Sequence, residues 1–362
     1  MAAPGFDIAA LERWLAGHVA GYRGPLQVER FAGGQSNPTF RLRAASGNYV
    51  LRKKPEGVLL PSAHAVDREH RAMAALQGTA VPVPRTFGYC DDPSVIGTPF
   101  FVMDCVEGRI FWDPALPELP PAERAALWDD VNRVVAALHR VDVAAVGLAD
   151  YGRPGNYFER QIARWTRQYR ASEARPIEAM DRLIEWLPAH VPPGDETTIV
   201  HGDLRLDNMI VHPTEPRIVA VLDWELSTLG HPLADLSYHV MTWRLTAGQF
   251  RGMADKDLAT LGIPCEAAYV AAYCARVGRA PIEPAAWEFH LAFSMFRLAA
   301  ILQGIARRAE DGTAASAEAV ATGAKAGPIA EVAWAQVCAL EAAGAARSST
   351  ATRPDLASTG EA

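Results

Sequence analysis

The sequence predicts an α+β chain of two lobes: a small β-rich lobe over residues 1–107, a mainly helical lobe over 108–343, and a disordered tail over 344–362. Three observations predict it. Between residues 26 and 104, apolar and polar residues alternate or form short buried runs, punctuated by Gly, Asn and Ser, as strands and turns do. Beyond residue 108 the apolar residues recur every three or four positions, as on one face of a helix. Within this helical region, residues 197–222 revert to strand-like runs around a polar cluster, His201-Gly202-Asp203-Leu204-Arg205-Leu206-Asp207-Asn208.

The elements follow in chain order. Leu11, Trp14 and Leu15 share a helical face after Asp7, which places a short packing helix before the first strand. Residues 26–31 and 39–43 read as strands on either side of the polar turn Gly33-Gly34-Gln35-Ser36-Asn37, and residues 48–53 supply a third. Residues 67–76 read as a helix, and Phe100-Phe101-Val102-Met103 as a buried strand ending at Asp104. Leu127, Val131, Val134, Val135 and Leu138 mark an amphipathic helix, and residues 287–307 another with Phe293, Phe296 and Ala300 on one face. Strands are expected at 197–200, 209–211 and 218–222. From about Gly344 the Ala, Ser, Thr and Gly content rises without an apolar stripe, the basis for the expected disorder.

Composition narrows the function classes. Of 362 residues, 49% are hydrophobic and 21% charged, enough apolar content for a substantial core. The net charge of −7 leaves no basic footprint for nucleic acid. Residues 1–19 lack a basic segment before an apolar one, and polar residues interrupt the long apolar runs, so neither export nor a membrane span is expected. Five cysteines, at 90, 105, 265, 274 and 338, form no CxxC pair, which fits reduced, mostly buried thiols in a cytoplasm.

The polar cluster carries chemistry. Transfer of a γ-phosphoryl group needs a carboxylate to orient the attacking hydroxyl and oxygen ligands for Mg²⁺, all on a rigid turn. Asp203 is suited to the base, and Asn208, five residues on, to a ligand. Asp223, in Leu222-Asp223-Trp224-Glu225, follows one hydrophobic segment later and supplies a second. Protein kinases place a base, an Asn and a metal-binding Asp in this order.

Together with Gly33-Gly34-Gln35-Ser36-Asn37-Pro38, Leu51-Arg52-Lys53-Lys54-Pro55 and Leu60-Pro61-Ser62-Ala63-His64, these motifs make the chain resemble the aminoglycoside phosphotransferase and choline kinase superfamily. Its nearest resemblance is to the kinase-like domain fused to acyl-CoA dehydrogenase in some animal proteins. The resemblance spans residues 20–310. It implies a bilobal protein-kinase-like fold, ATP and Mg²⁺ as cofactors, Asp203 as base, and Asn208 and Asp223 as metal ligands. His201 and Asp235 are implied as supports of the catalytic loop.

The resemblance also assigns the nucleotide side. Gly33 and Gly34 would let backbone approach phosphates, and Ser36 and Asn37 would add donors. The strand 49–52 takes the place of the kinase V-A-I-K segment, making Arg52 the phosphate-pairing cation and Glu69 its helix partner. Period-two alternation puts Val50 and Arg52 on one face and Lys53 on the other, while Lys54 shares the Arg52 face and remains a rival. Backbone groups of Asp104 and Val106 are implied in adenine binding. Glu225, where kinases have Gly, argues against a segment that flips between two backbone states.

The acceptor is the open part. Arg160, Arg164 and Arg167 fall on one helical face and, with Arg170, favour an anionic acceptor such as a hydroxyacyl-CoA; a solvated face paired with acids is the competing reading. Three functions follow: a small-molecule kinase, an antibiotic phosphotransferase, or a kinase-like nucleotide binder without turnover. Oligomeric state is not legible.

Overall fold

A computed structural model describes residues 5–31, 37–57, 65–173, 175–312 and 318–351. Helix α1 (Ile8–His18) is capped by Asp7, whose carboxylate accepts the amides of Ala9 and Ala10. Strands β1 (Gln27–Arg30), β2 (Thr39–Ala44) and β3 (Gly47–Lys53) form a meander, followed by α2 (Val66–Leu76), β4 (Thr86–Cys90), α3 (Pro93–Ile96) and β5 (Phe100–Asp104). The sheet is antiparallel throughout, in the order β1-β2-β3-β5-β4.

Alternation along β3 divides the lobe into two cores. Leu51 joins Leu11, Leu15, Leu42 and Phe100 beneath α1. Val50 faces the other way, with Met73 and Leu76 of α2, Phe101 and Met103. Arg52 shares the Val50 face and so meets α2; Lys53 points oppositely, where its ammonium sits 5.4 Å from the Phe6 ring and pairs with Glu56 at 2.9 Å.

The second lobe begins with α4 (Pro121–His139), α5 (Tyr157–Ser172) and α6 (Glu178–Ala189). Two small antiparallel sheets then carry the polar cluster between them. One pairs β6 (Thr198–Val200) with β9 (Thr228–Gly230), and the other pairs β7 (Met209–Val211) with β8 (Ile218–Val221). Helix α7 (Pro232–Val240) follows, then α8 (Ala247–Phe250), α9 (Leu258–Leu261), α10 (Glu266–Val277), α11 (Pro284–Glu310), α12 (Ala319–Gly323) and α13 (Ala326–Ala351). Helix α11 runs through the centre of the lobe, with Phe289, Phe293, Met295 and Phe296 at 0–1% exposure. Burying each such side chain stabilises by roughly 1.5–3 kcal/mol.

Three expectations are corrected. Helix α13 continues past Gly344 to Ala351, within the stretch 344–362 expected to be disordered, because alanine, the best helix former, needs no apolar stripe to extend a helix already docked on α11 through Ile329, Ala330, Ala333 and Val337. Residues 352–362 of that stretch lie outside the described residues. Long apolar runs do exist. Pro284–Glu310 and Ala319–Ala346 are long and apolar enough to cross a membrane by length and composition; 78% of the most apolar stretch of the first is buried inside the lobe and 22% of the second. The thiols are not mostly buried: Cys90 and Cys274 are, but Cys265 and Cys338 are exposed. Cys265 caps α10 and Cys338 lies on the outer face of α13.

Candidate functional site

The polar cluster leaves β6 at Val200 and makes a tight loop. Gly202 has φ +83°, and a Cβ there would lie 2.5 Å from the Leu226 carbonyl oxygen, so both conformation and space require glycine. Asp235, buried on α7, accepts the amides of His201 and Gly202, the latter at 2.8 Å. Burial pushes the Asp235 carboxyl up, but His139, 3.6 Å away, His201 and the Gly202 amide outweigh it and hold it below the usual range. His201 is buried beneath the loop: Nδ1 accepts the Asp203 amide at 3.2 Å and Nε2 lies 2.8 Å from the Leu222 carbonyl, which fixes Nε2 as the protonated nitrogen. From the opposite side Arg297 of α11 donates to the Gly202 carbonyl.

Asp203 is thus placed by backbone held on three sides. Its Oδ2 accepts from Asn208 Nδ2 and from Arg205 Nη2, each at 3.0 Å, and Asn208 Nδ2 also reaches the Asp203 carbonyl at 2.8 Å. Burial, then the neighbouring Asp203 charge, raises the Tyr238 phenol well above its ordinary value. Only amide hydrogens of Asn208 are used here, so its Oδ1 faces away from Asp203.

Asp223 lies just past β8 in the left-handed region, φ 67° and ψ 57°, a conformation that non-glycine residues hold only when surroundings impose it. Trp224 imposes it: fully buried, it donates from Nε1 to the Val221 carbonyl at 2.9 Å and packs 4.7 Å from the His201 ring. The Asp223 carboxylate meets Arg52 across the lobes, Oδ1 to Nη2 at 2.6 Å. Arg52 Nε sits 2.7 Å from Glu69 Oε2, an ion pair whose angle is too poor for an aligned hydrogen bond, and Glu225 lies 3.5 Å away. Three carboxylates therefore surround one guanidinium. Burial, opposed by Arg52 and reinforced by Asp223 and Glu225, pushes the fully buried Glu69 up to about 8. Burial lowers the Arg52 pKa, but the three acids more than reverse this.

The sequence-predicted residues fall as follows. Asp203, Asn208, Asp223, Arg52 and Glu69 converge at the junction of the lobes. Arg52 and not Lys54 contacts Glu69 and Asp223 among the described residues. Gly33, Gly34 and Ser36, with the motif 60–64, lie outside the described residues. Asn37 is buried and its amide donates to Glu225 at 3.4 Å, tying the first turn to the Asp223 segment. At the hinge, the Asp104 amide is already given to the Arg85 carbonyl at 2.8 Å, leaving that donor unavailable to an adenine; Val106 is half-buried beside it.

The arginines on α5 diverge. Arg170 pairs with Glu173 and Asp181, the solvated-face reading. Arg160 donates to the Arg153 carbonyl at 2.6 Å. Arg164 and Arg167 have no acid within ion-pair distance among the described residues, and burial followed by the charge of Arg297 lowers the Arg164 pKa. Arg297, whose charge acts on Arg164, in turn donates to the Gly202 carbonyl of the loop. Arg205, Tyr238 and Arg297 were not singled out from sequence, and Glu225 was noted only for standing where kinases have Gly. Arg205 stood inside the motif and could have been; Arg297 lies 95 residues beyond Gly202, and no local pattern announces it.

The residues fit a magnesium ion. Mg²⁺ takes hard oxygens, typically one or two carboxylates completed by phosphate oxygens and water. Asn208 Oδ1 and the Asp223 carboxylate are such donors, and the surplus of carboxylates over the single Arg52 favours a cation. No group of three His, Cys, Asp or Glu side chains gathers as a metal site among the described residues.

Comparison with known proteins places this geometry. The chain is 48% identical over 328 residues to mouse acyl-CoA dehydrogenase family member 10, covering 90% of this chain and 30% of that protein. It spans less than half the length of the curated relatives it matches. A crystal structure of an aminoglycoside phosphotransferase-type protein from Ralstonia eutropha JMP134 superposes with a TM-score of 0.85 at 55% identity, covering 91% of this chain and 98% of that one. The aminoglycoside phosphotransferase APH(4)-Ia, captured in a ternary complex with AMP-PNP and hygromycin B, shares the fold at 15% identity, with a TM-score of 0.57 and coverage of 89% and 98%. A profile of the phosphotransferase enzyme family matches residues 27–288, and with it the loop, the hinge and the Arg52 strand; the chain belongs to that family and is a small-molecule phosphotransferase.

Proposed function

We propose that the chain transfers the γ-phosphoryl group of MgATP to a hydroxyl of an anionic small molecule, with a hydroxyacyl-CoA as the acceptor to test first. The observation that carries the reading is the convergence of Asp203, Asn208, Asp223 and Arg52 on one cleft. Asp203 accepts the acceptor hydroxyl's proton as the new P–O bond forms, and the Asn208 amide keeps its carboxylate in place. Arg52, released from Asp223, pairs with the phosphates, while Glu69 holds the guanidinium in register. Bound Mg²⁺, held by Asn208 and Asp223, would supply charge neutralisation at the phosphates. Positioning and electrostatics do most of the catalysis in such a transfer.

The donor reading is supported by the family and by the AMP-PNP bound to APH(4)-Ia. The anionic acceptor is supported by Arg164 and Arg167, which lack acidic partners, and by relatives that bear acyl-CoA dehydrogenase names. The five unbridged cysteines support a cytoplasmic setting. The test is ATP-dependent transfer to a panel of hydroxyacyl-CoA thioesters, read by mass gain of one phosphoryl group. Transfer no faster than background ATP hydrolysis rejects the acceptor. The second reading, an aminoglycoside or macrolide acceptor, is favoured by the Ralstonia neighbour and predicts resistance in a sensitive host. ATP binding without any turnover would leave the chain a non-catalytic nucleotide binder.

A further inference from the structure

Four large hydrophobic side chains are strongly exposed among the described residues: Ile110, Trp112, Leu226 and Val320. Single exposed apolar residues are ordinary. Here three of the four ring the catalytic loop. Leu226 packs over Gly202, and Ile110 and Trp112 follow Arg109, whose backbone pairs with Val211 at the end of the catalytic hairpin.

Trp112 is 63% exposed on a loop that is pinned, not loose. Arg109 exchanges backbone hydrogen bonds of 2.8 Å with Val211, and its guanidinium donates to the carbonyls of His212 and Glu215, each at 3.0 Å. On the far side the Asp113 carboxylate accepts the Ala115 amide at 2.9 Å, and Leu116 takes a left-handed φ of 51°. The segment that carries the exposed indole is therefore held on both sides, at the mouth of the cleft proposed above.

One face of the indole carries a cation. The Arg251 guanidinium lies 4.8 Å from the Trp112 ring centroid, presented from a left-handed backbone (φ 44°) of the kind that persists at ligand clamps. Arg251 pairs with Asp207; Asp207 is 3.4 Å from Arg205, which is 3.0 Å from the Asp203 carboxylate. This ladder of alternating charges links the indole to the base. Asp207 does not exhaust the five donors of the Arg251 guanidinium, whose side chain is 35% exposed.

We infer that Trp112 and Arg251 form an acceptor subsite that takes a planar heterocycle bearing an anionic group: the ring stacks on the indole and the anion meets the guanidinium. The inference deepens the phosphotransferase reading above, since it rests on the acceptor approaching Asp203 through this mouth. Trp112 and Arg251 are specificity-determining residues, because neither touches the reacting atoms. Loss of a stacked aromatic partner weakens binding about tenfold or more.

The experiment uses adenosine 3′,5′-bisphosphate as the probe, titrated calorimetrically into the full chain with its nucleotide site saturated by Mg²⁺ and AMP-PNP. Expected is binding that weakens about tenfold in Trp112→Ala, stays within about threefold in Trp112→Phe, and weakens again in Arg251→Ala. AMP-PNP affinity, unchanged across the variants, reports an intact fold. No binding once AMP-PNP is in place, equal affinity in wild type and Trp112→Ala, or equal losses in the Ala and Phe variants would each overturn the subsite. The two readings separate cleanly. Tryptophan-dependent probe binding without transfer to hydroxyacyl-CoA keeps the subsite and rejects that acceptor. Transfer with an unchanged acceptor KM in Trp112→Ala keeps the acceptor and rejects the subsite.

Discussion

The two carboxylates at the centre are held in opposite ways. Asp203 is fixed wholly within its own lobe, by Asn208 and Arg205 at its side chain and by Asp235, His201 and Arg297 around its backbone. Asp223 has its backbone fixed by Trp224, but its carboxylate is held by Arg52 of the other lobe. On the proposed reading Asp203, the base, is preorganised whatever the lobes do, while the Asp223–Arg52 pair, proposed to face the phosphates, depends on how they meet. One half of the proposed centre would stay constant and the other would exchange partners when charged ligands arrive.

Breaking the constant half has the largest expected effect. Asp203→Asn keeps the shape of the side chain but removes the proton acceptor, so turnover falls about a thousandfold with little change in melting temperature, checked by coupled kinetics and calorimetry. Next is Asp235→Ala. It strips two buried loop amides of their acceptor and costs about 3 kcal/mol in urea unfolding, with activity lost in parallel. An Asp235→Ala protein of native stability and activity would show that the loop needs no brace.

The exchanging half responds more gently. Arg52→Lys keeps the charge but cannot reach Glu69 and Asp223 together; the KM for ATP should rise about tenfold, with kcat changing less. An effect confined to kcat would place Arg52 outside nucleotide binding.

Acid acts on histidines in both lobes, since burial lowers the pKa of the half-buried His70 on α2 as well. His231 and His239 in the helical lobe are pushed down to about 4, chiefly by burial, and His290 is lowered too. The unfolded chain protonates its histidines near pH 6.5 while the folded chain keeps these neutral. Stability present above pH 6.5 is therefore lost as the pH falls toward 4. Denaturant titrations should show this slope, shallower in His290→Gln. The smallest effect is expected at Arg170→Ala, where a surface ion pair is worth about 0.5 kcal/mol and kinetics stay unchanged.

Legibility in the sequence followed distance along the chain. Asp203, Asn208 and Asp223 could be grouped because one loop and one hairpin carry them close together in sequence, while the roles given to them belong to the proposed function. Arg52 could be chosen over Lys53 because β3 has period two, and its contacts with Glu69 and Asp223 then distinguish it from Lys54. Tyr238, Arg297 and the Asn37–Glu225 contact were invisible, since each is brought in by packing of elements far apart in sequence. The arginines of α5 were half legible: periodicity gave Arg160, Arg164 and Arg167 a shared face, but only tertiary neighbours show that Arg170 is paired with acids and that Arg164 has no acid within ion-pair distance among the described residues. The continuation of α13 was misjudged because an alanine-rich run looks the same whether it is free or docked.

The hydrogen bond from Arg297 to the Gly202 carbonyl ties the deepest helix of the large lobe directly to the loop proposed to carry the base. Heat that loosens the interior around α11 disturbs Asp203 at once, so inactivation and melting should run together in a slow thermal ramp. A substitution that stiffens that interior ought then to raise the upper working temperature of the enzyme without touching its cleft.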